Sequence, residues 1–241
     1  MANTRKTAIV TGASQGIGAG LVEAFLKRGY SVVANSRNIS RAHQFAASAN
    51  LAMVDGDIGD PSTAARIVDT AVSQFGRIDV LINNVGIFIP KPFTEYTTED
   101  FNALVSTTLA GFLYVSQLSV KQMVRQKSGS IINVSTTLVG HPVAGVPVTV
   151  QVMAKGALDA VTRALAMEYA KDGIRVNTVA LGVIKTPMHK PETYDSLKGL
   201  HPMGRMGEIK EVVDAVLFLT DATFTTGEIL HVDGGVHAGK W

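Results

Sequence analysis

Seven short runs rich in valine and isoleucine recur through the 241-residue chain: 7–10, 31–34, 51–54, 80–83, 130–134, 175–179 and 229–232. Most are apolar throughout instead of alternating, the pattern of strands buried on both faces of a parallel sheet. Between them lie stretches of helical period. Ile17, Leu21, Ala24 and Phe25 share one face, and Lys27-Arg28-Gly29 reads as a cationic last turn with a glycine stop. Leu158, Val161, Leu165 and Tyr169 make another face, closed by Lys171-Asp172-Gly173. This alternation predicts right-handed crossovers and a doubly wound α/β sheet with helices on both faces. No internal repeat, low-complexity tract or linker divides the chain, so one domain spanning 1–241 is expected.

Composition narrows the partners. Hydrophobic residues make up 46% and charged residues only 17%, which describes a filled core and excludes a disordered chain. A net charge of +2 without any basic block argues against nucleic acid or a membrane surface. There is no cysteine, so disulfides, thiolate nucleophiles and cysteine metal sites are ruled out, and no metal is expected. The N-terminal residues lack an apolar signal region and no uninterrupted apolar run reaches membrane-spanning length; a soluble cytoplasmic protein is the expectation.

Thr11-Gly12-Ala13-Ser14-Gln15-Gly16-Ile17-Gly18 follows the first strand and opens the first helix. Gly12 permits a tight turn, Gly16 lets backbone approach a pyrophosphate, and Gly18 lets helix pack on strand, with helix N-terminal amides aimed at phosphates. The bland alternative is a ligand-free glycine turn; the strand–loop–helix setting favours a dinucleotide held by Gly12, Ser14, Gln15, Gly16, Ile17 and Gly18. About twenty residues on, a carboxylate would bind the ribose 2′-hydroxyl of NAD. This chain has Asn35-Ser36-Arg37 there, and a guanidinium suits a 2′-phosphate, so NADP(H) is expected. Asp57-Ile58, after the third strand, is expected beside the adenine, with a turn role for Asp57 as the alternative.

In order and spacing these segments resemble the short-chain dehydrogenase/reductase family over nearly the whole chain. TGxxxGIG is matched in full by residues 11–18, and Asn83-Asn84-Val85-Gly86 looks like the family's NNAG. Leu181-Gly182-Val183-Ile184-Lys185-Thr186 resembles PGxIxT with leucine for proline; Gly204-Arg205-Met206-Gly207 and Asp233-Gly234-Gly235 match late segments. The resemblance implies a Rossmann-like seven-stranded sheet, a homotetramer or homodimer, and a small carbonyl or imine substrate. It places Asn83, Val85, Gly86, Gly182, Ile184 and Thr186 at the cofactor, Asn83 near its ribose and Ile184 and Thr186 at the nicotinamide carboxamide.

The family's catalytic set is Asn, Ser, Tyr and Lys. Thr107-Thr108-Leu109-Ala110-Gly111 resembles NLxG and puts Thr108 at the asparagine. Ser135-Thr136-Thr137-Leu138-Val139-Gly140 covers SSxxG; Thr136 aligns with the serine from the strand side and Thr137 from the glycine side. Gln151-Val152-Met153-Ala154-Lys155 resembles YxxxK with glutamine for the tyrosine, so Lys155 alone keeps the family residue. A carboxamide polarises a carbonyl but does not transfer a proton. The loss of a general acid lowers rates by about 10² to 10⁴, and an iminium substrate would need no proton. Tyr194 or His189, from a proline-interrupted lid at 186–206, and His141 are candidate proton donors, with ordinary loop residues as the alternative. The apolar loop 139–150, with Ile87 and Phe88, is a candidate substrate wall. The expected activity is an NADP(H)-dependent oxidoreductase with an atypical site; the alternative is an inactive NADPH-binding regulator or scaffold.

Overall fold

The valine- and isoleucine-rich runs pair side by side into a single sheet. The structure, a computed structural model, describes residues 5–42 and 44–240. The strands are β1 (Thr7–Thr11), β2 (Ser31–Ser36), β3 (Leu51–Asp55), β4 (Val80–Asn83), β5 (Gly129–Thr136), β6 (Ile174–Leu181) and β7 (Ile229–Val232). All pairs are parallel and the order is β3-β2-β1-β4-β5-β6-β7. The order reverses between β1 and β4, which opens a crevice at the carboxyl ends of the strands. Two strands run well past their apolar runs: β5 and β6 stay paired through Ser135 opposite Ala180 and Thr136 opposite Leu181.

The helices are α1 (Gly16–Lys27), α2 (Pro61–Thr70), α3 (Thr98–Leu104), α4 (Gly111–Gln126), α5 (Thr149–Tyr169), α6 (Tyr194–Lys198) and α7 (Ile209–Asp221). Period-two alternation sorts the sheet's side chains onto two faces. Ala8 and Val10 of β1 meet Leu21, Val22 and Phe25 of α1 and Val212 and Val216 of α7. Ile9, one residue between them, meets Ile67 of α2 and Val115 and Met123 of α4 on the other face, where Ala166 of α5 also packs. Each valine, leucine, isoleucine, methionine or phenylalanine among them removed from water stabilises the fold by roughly 1.5–3 kcal/mol.

α3 and α4 are one continuous helix, Thr98–Gln126, interrupted by a π-helical turn at Val105–Ala110. By length and composition this helix could cross a membrane, with a mean hydropathy of 1.4 in its most apolar stretch, although Ser106, Thr107, Thr108 and Ser116 interrupt its apolar run, as expected. Its Val115, Val120 and Met123 pack into the sheet's core while Phe101 and Leu113 are exposed, and Ser116 on it accepts a hydrogen bond from Asn83 of β4.

Candidate functional site

The crevice at the strand carboxyl ends encloses about 360 Å³. Its floor is the turn between β1 and α1. Gly12 and Gly16 have φ of +66° and +58°, in the left-handed region that glycine adopts without strain. Gly18 leaves no room for a side chain: a Cβ there would stand 2.2 Å from the Gly12 carbonyl oxygen. No side chain caps α1, so its first-turn N–H groups are left for a ligand. Asn84 braces the turn from β4, its amide donating to the carbonyls of Thr11 (2.9 Å) and Gly12 (3.1 Å). Ser14, Gln15 and Ile17 complete this part of the lining.

At the end of β2, Ser36 and Arg37 face the same crevice. Arg37 is exposed and makes no hydrogen bond or ion pair to another described residue, a guanidinium open to an anion. Asn35 borders the crevice as well but is buried, donating to the carbonyls of Val54 and Gly56 and tying β2 to β3. Ile58 is buried and Asp57 lines the crevice while its carboxylate accepts from the Gly59 N–H at 2.8 Å, so the turn role and the wall role coexist. Val85, Gly86, Gly182, Ile184 and Thr186 line the middle. Asn83 does not. It points inward from β4, donating to Ser116 Oγ (3.0 Å) and Asn133 Oδ1 (2.9 Å), because period-two alternation turns it to the face opposite the crevice's floor.

The far end is built on α5. Gln151 and Lys155, one helical turn apart, are 5% and 6% exposed and both face the crevice. Gln151 Oε1 is buried without a partner. Lys155 Nζ donates to the Val134 carbonyl at 2.7 Å, and Gly86 is small because a Cβ there would come within 3.3 Å of that Nζ. Burial pulls the Lys155 ammonium down from 10.5 to about 8, opposed by the Asp159 carboxylate a turn further on. Burial in turn pushes the Asp159 carboxyl up, and its Oδ1 has no hydrogen-bond partner.

The threonines expected beside them are turned away. Thr136 Oγ1 donates to the Leu181 carbonyl (3.3 Å) because β5 is still paired with β6 there. Thr137 Oγ1, in the turn that follows, donates to Asp233 Oδ2 (2.7 Å). Of Ser135, Thr136 and Thr137, it is Ser135 that lines the crevice, its Oγ donating to the Lys155 carbonyl at 3.5 Å. Thr108 is buried with its Oγ1 unpartnered, and Thr107 lines the wall in its place, within the π turn. Of the proton-donor candidates, His189 lines the crevice beside Met188, with burial holding its imidazole below its ordinary range. Tyr194 lies outside the lining on α6, and His141 stands among His231 and His237 on another surface. Ile87 and Phe88 line the wall, whereas the loop 139–150 does not reach it.

Together, uncapped helix amides, a glycine floor, an unpaired arginine and a buried ammonium match the parts of a dinucleotide with a 2′-phosphate. A family model described as enoyl-(acyl carrier protein) reductase matches residues 12–237. The chain belongs to the short-chain dehydrogenase/reductase family. It is 33% identical over 239 residues to the 3-oxoacyl-(acyl-carrier-protein) reductase of Escherichia coli, covering 96% of this chain and 97% of the other. It is 36% identical to a chloroplastic tropinone reductase homolog of Arabidopsis thaliana, covering 95% of this chain and 75% of the relative. Among solved structures, ElxO with NADP bound superposes with a TM-score of 0.91 at 31% identity, covering 98% of this chain and 100% of that one. A tyrosine-to-phenylalanine variant of ElxO, with NADPH bound, superposes equally well.

Within this short-chain dehydrogenase/reductase, several site-building residues escape a reading by motif. Asn84 and Ser135 were reachable from strand alternation, which sends neighbours to opposite faces. Asn133 bridges Asn83 to Thr162, donating to Thr162 Oγ1 at 2.8 Å, and Thr162 pairs with Thr178 at 2.7 Å. Nothing in the spacing marks that buried network beneath the crevice.

Proposed function

We propose that the chain is an NADP(H)-dependent oxidoreductase that reduces a C=O or C=N bond of a small, apolar substrate, with Gln151 standing where the family has its catalytic tyrosine. The observation that carries this reading is the division within one crevice: Lys155 and the glycine floor are in place, while a carboxamide occupies the head of α5. NADPH in the crevice would supply the hydride. Arg37 would hold the 2′-phosphate and Lys155 the ribose hydroxyls, and Ile87, Phe88 and Met188 would exclude water around the substrate. Gln151 can present Nε2–H to a carbonyl oxygen or, with the carboxamide flipped, its unpaired Oε1 to an iminium N–H. Neither transfers a proton. An iminium is reduced to a neutral amine by hydride alone, so C=N reduction fits the site's chemistry best. That the tyrosine-to-phenylalanine variant of ElxO carries NADPH supports cofactor binding without a full complement of tyrosines.

A second reading is an NADPH-binding regulator or scaffold without turnover. It draws on Thr136 and Thr137 both being engaged in structural hydrogen bonds. The two readings part on one experiment. NADPH is titrated first, then stereospecific NADP⁺ formation is followed with matched pairs of ketones and preformed iminium salts. Iminium turnover exceeding the matching ketone supports the reductase reading; ketone rates equal or higher sink the C=N preference, and binding without any turnover selects the regulator.

We also propose a homotetramer or homodimer in the cytoplasm. Exposed Met153 and Met167 on α5 and Phe218 on α7 offer apolar area for assembly. Light scattering of the purified chain reads the stoichiometry directly.

A further inference from the structure

Behind the crevice, three imidazoles from three separate segments converge. His231 on β7 stacks on His237 of the C-terminal turn at 4.1 Å between ring centroids, and His141, four residues past Thr137, meets them at 5.9 and 6.0 Å. Against His237 lies Asp233, 5% exposed, whose carboxylate collects four donor groups. Oδ2 accepts from Thr137 Oγ1 (2.7 Å) and from the His237 backbone N–H (2.9 Å); Oδ1 accepts from the Gly235 N–H (3.0 Å); the His237 ring nitrogen Nδ1 lies 3.0 Å from both oxygens. Burial pushes this carboxyl up, but the hydrogen bonds from Thr137 and His237 outweigh it and hold it below its ordinary range.

Thr137 opens the turn that leaves β5, His141 N–H donates back to the Thr137 carbonyl at 3.0 Å, and the same segment runs on into α5 and Gln151. We infer that Asp233 and His237 are positioning residues for the crevice: they clasp the turn after β5, and through it the loop that delivers Gln151. This role rests on the reading of the crevice as the active site. The clasp is a charge-assisted pair on a nearly dry carboxylate, the kind of contact whose loss frees its partner. It is also acid-sensitive by construction. One imidazolium beside Asp233 is favourable, but a second or third charge within 4.1–6.0 Å is repelled. The charged and titratable groups facing the cluster are Asp233, Glu228 and the three histidines, with His201, Arg205 and Glu211 around the adjoining hollow. Acid therefore loosens the loop through mutual repulsion of the imidazoles, with His141 as the member that moves.

Amide hydrogen exchange of the full chain, with and without NADPH, tests this. Protection factors corrected for intrinsic exchange are compared over 137–150 in wild type, His237→Ala, His237→Asn and His141→Ala, and NADPH affinity is measured on the same samples. His237→Ala is expected to reduce protection of 137–150 about tenfold or more, the scale of one charge-assisted hydrogen bond, with NADPH affinity held. His237→Asn, which keeps a donor, restores most of it. Wild type loses protection in the same segment at acid pH, and His141→Ala does not. Unchanged protection in a folded His237→Ala, or equal acid loosening in His141→Ala, overturns the clasp. Failure of wild type to bind NADPH overturns the functional reading instead and leaves the exchange result standing on its own.

Discussion

Lys155 donates from its ammonium to the carbonyl of Val134 across 2.7 Å, linking the second turn of α5 to the carboxyl end of strand β5 from inside the crevice wall. The contact is nearly dry, and that makes the lysine a liability to the free protein. Its folded value of about 8 lies below its ordinary 10.5, so folding disfavours the charged form. The associated stability is fully present only above the unfolded value and is lost as the pH falls through about 8. At pH 7 this amounts to roughly 3 kcal/mol against the folded chain. Lys155→Met should therefore raise unfolding free energy in the absence of NADPH, and its advantage should shrink toward pH 10. Urea melts at both pH values check the trend, while NADPH titration should show the opposite effect, a loss of about tenfold or more.

Arg37 is open at the end of β2, with Ser36 beside it. Arg37→Ala should weaken NADPH about tenfold or more while leaving NADH nearly unchanged, because only the first carries a 2′-phosphate. Equal losses for both cofactors, by fluorescence titration, would remove the arginine from the recognition of that phosphate.

Gln151→Tyr restores a proton donor at the head of α5. Turnover of ketones should rise by about 10² to 10⁴, the range of a general acid, with little change for preformed iminium salts. A gain that is the same for both substrate types would mean that the phenol acts through packing.

Gly18 faces the carbonyl of Gly12 with no room for a methyl group. Gly18→Ala should cost about 1–3 kcal/mol through overpacking and abolish tight NADPH binding by pushing the turn out of shape. Thermal melts and cofactor titration report the two effects separately.

His201 accepts a hydrogen bond at Nε2 from the Val183 N–H (2.9 Å), so its proton sits on Nδ1 and the ring is neutral. Burial holds its pKa below the ordinary value of 6.5. The contribution of the neutral ring is thus present above 6.5 and lost as the pH falls through the lower folded value. Replacing it by glutamine should flatten that part of the acid decline in melting temperature; an unchanged decline would assign it to other groups.

The fold was legible because its strands are buried on both sides. Residues such as Ile9, Val33, Leu81 and Ile131 form apolar runs that no amphipathic helix would need. The cofactor floor was legible for a similar reason: Gly12, Gly16 and Gly18 each answer a separate steric demand. The opposite wall was harder to read. Thr136 and Thr137 resemble the serine element in sequence, but how far β5 stays paired with β6 decides which hydroxyl reaches the crevice, and that pairing is a tertiary property. Thr107 replaces Thr108 at the wall within a π turn, whose wider winding breaks the 3.6-residue count. Asp233 could be matched to a late motif, yet its grip on Thr137 spans 96 residues and leaves no local trace.

The buried chain of amides and hydroxyls from Asn83 through Asn133 and Thr162 to Thr178 ties three neighbouring strands and two helices into one rigid keel. None of its members touches the crevice. Substitutions at Gln151 or Thr107 can therefore alter what the wall does without disturbing what holds it upright.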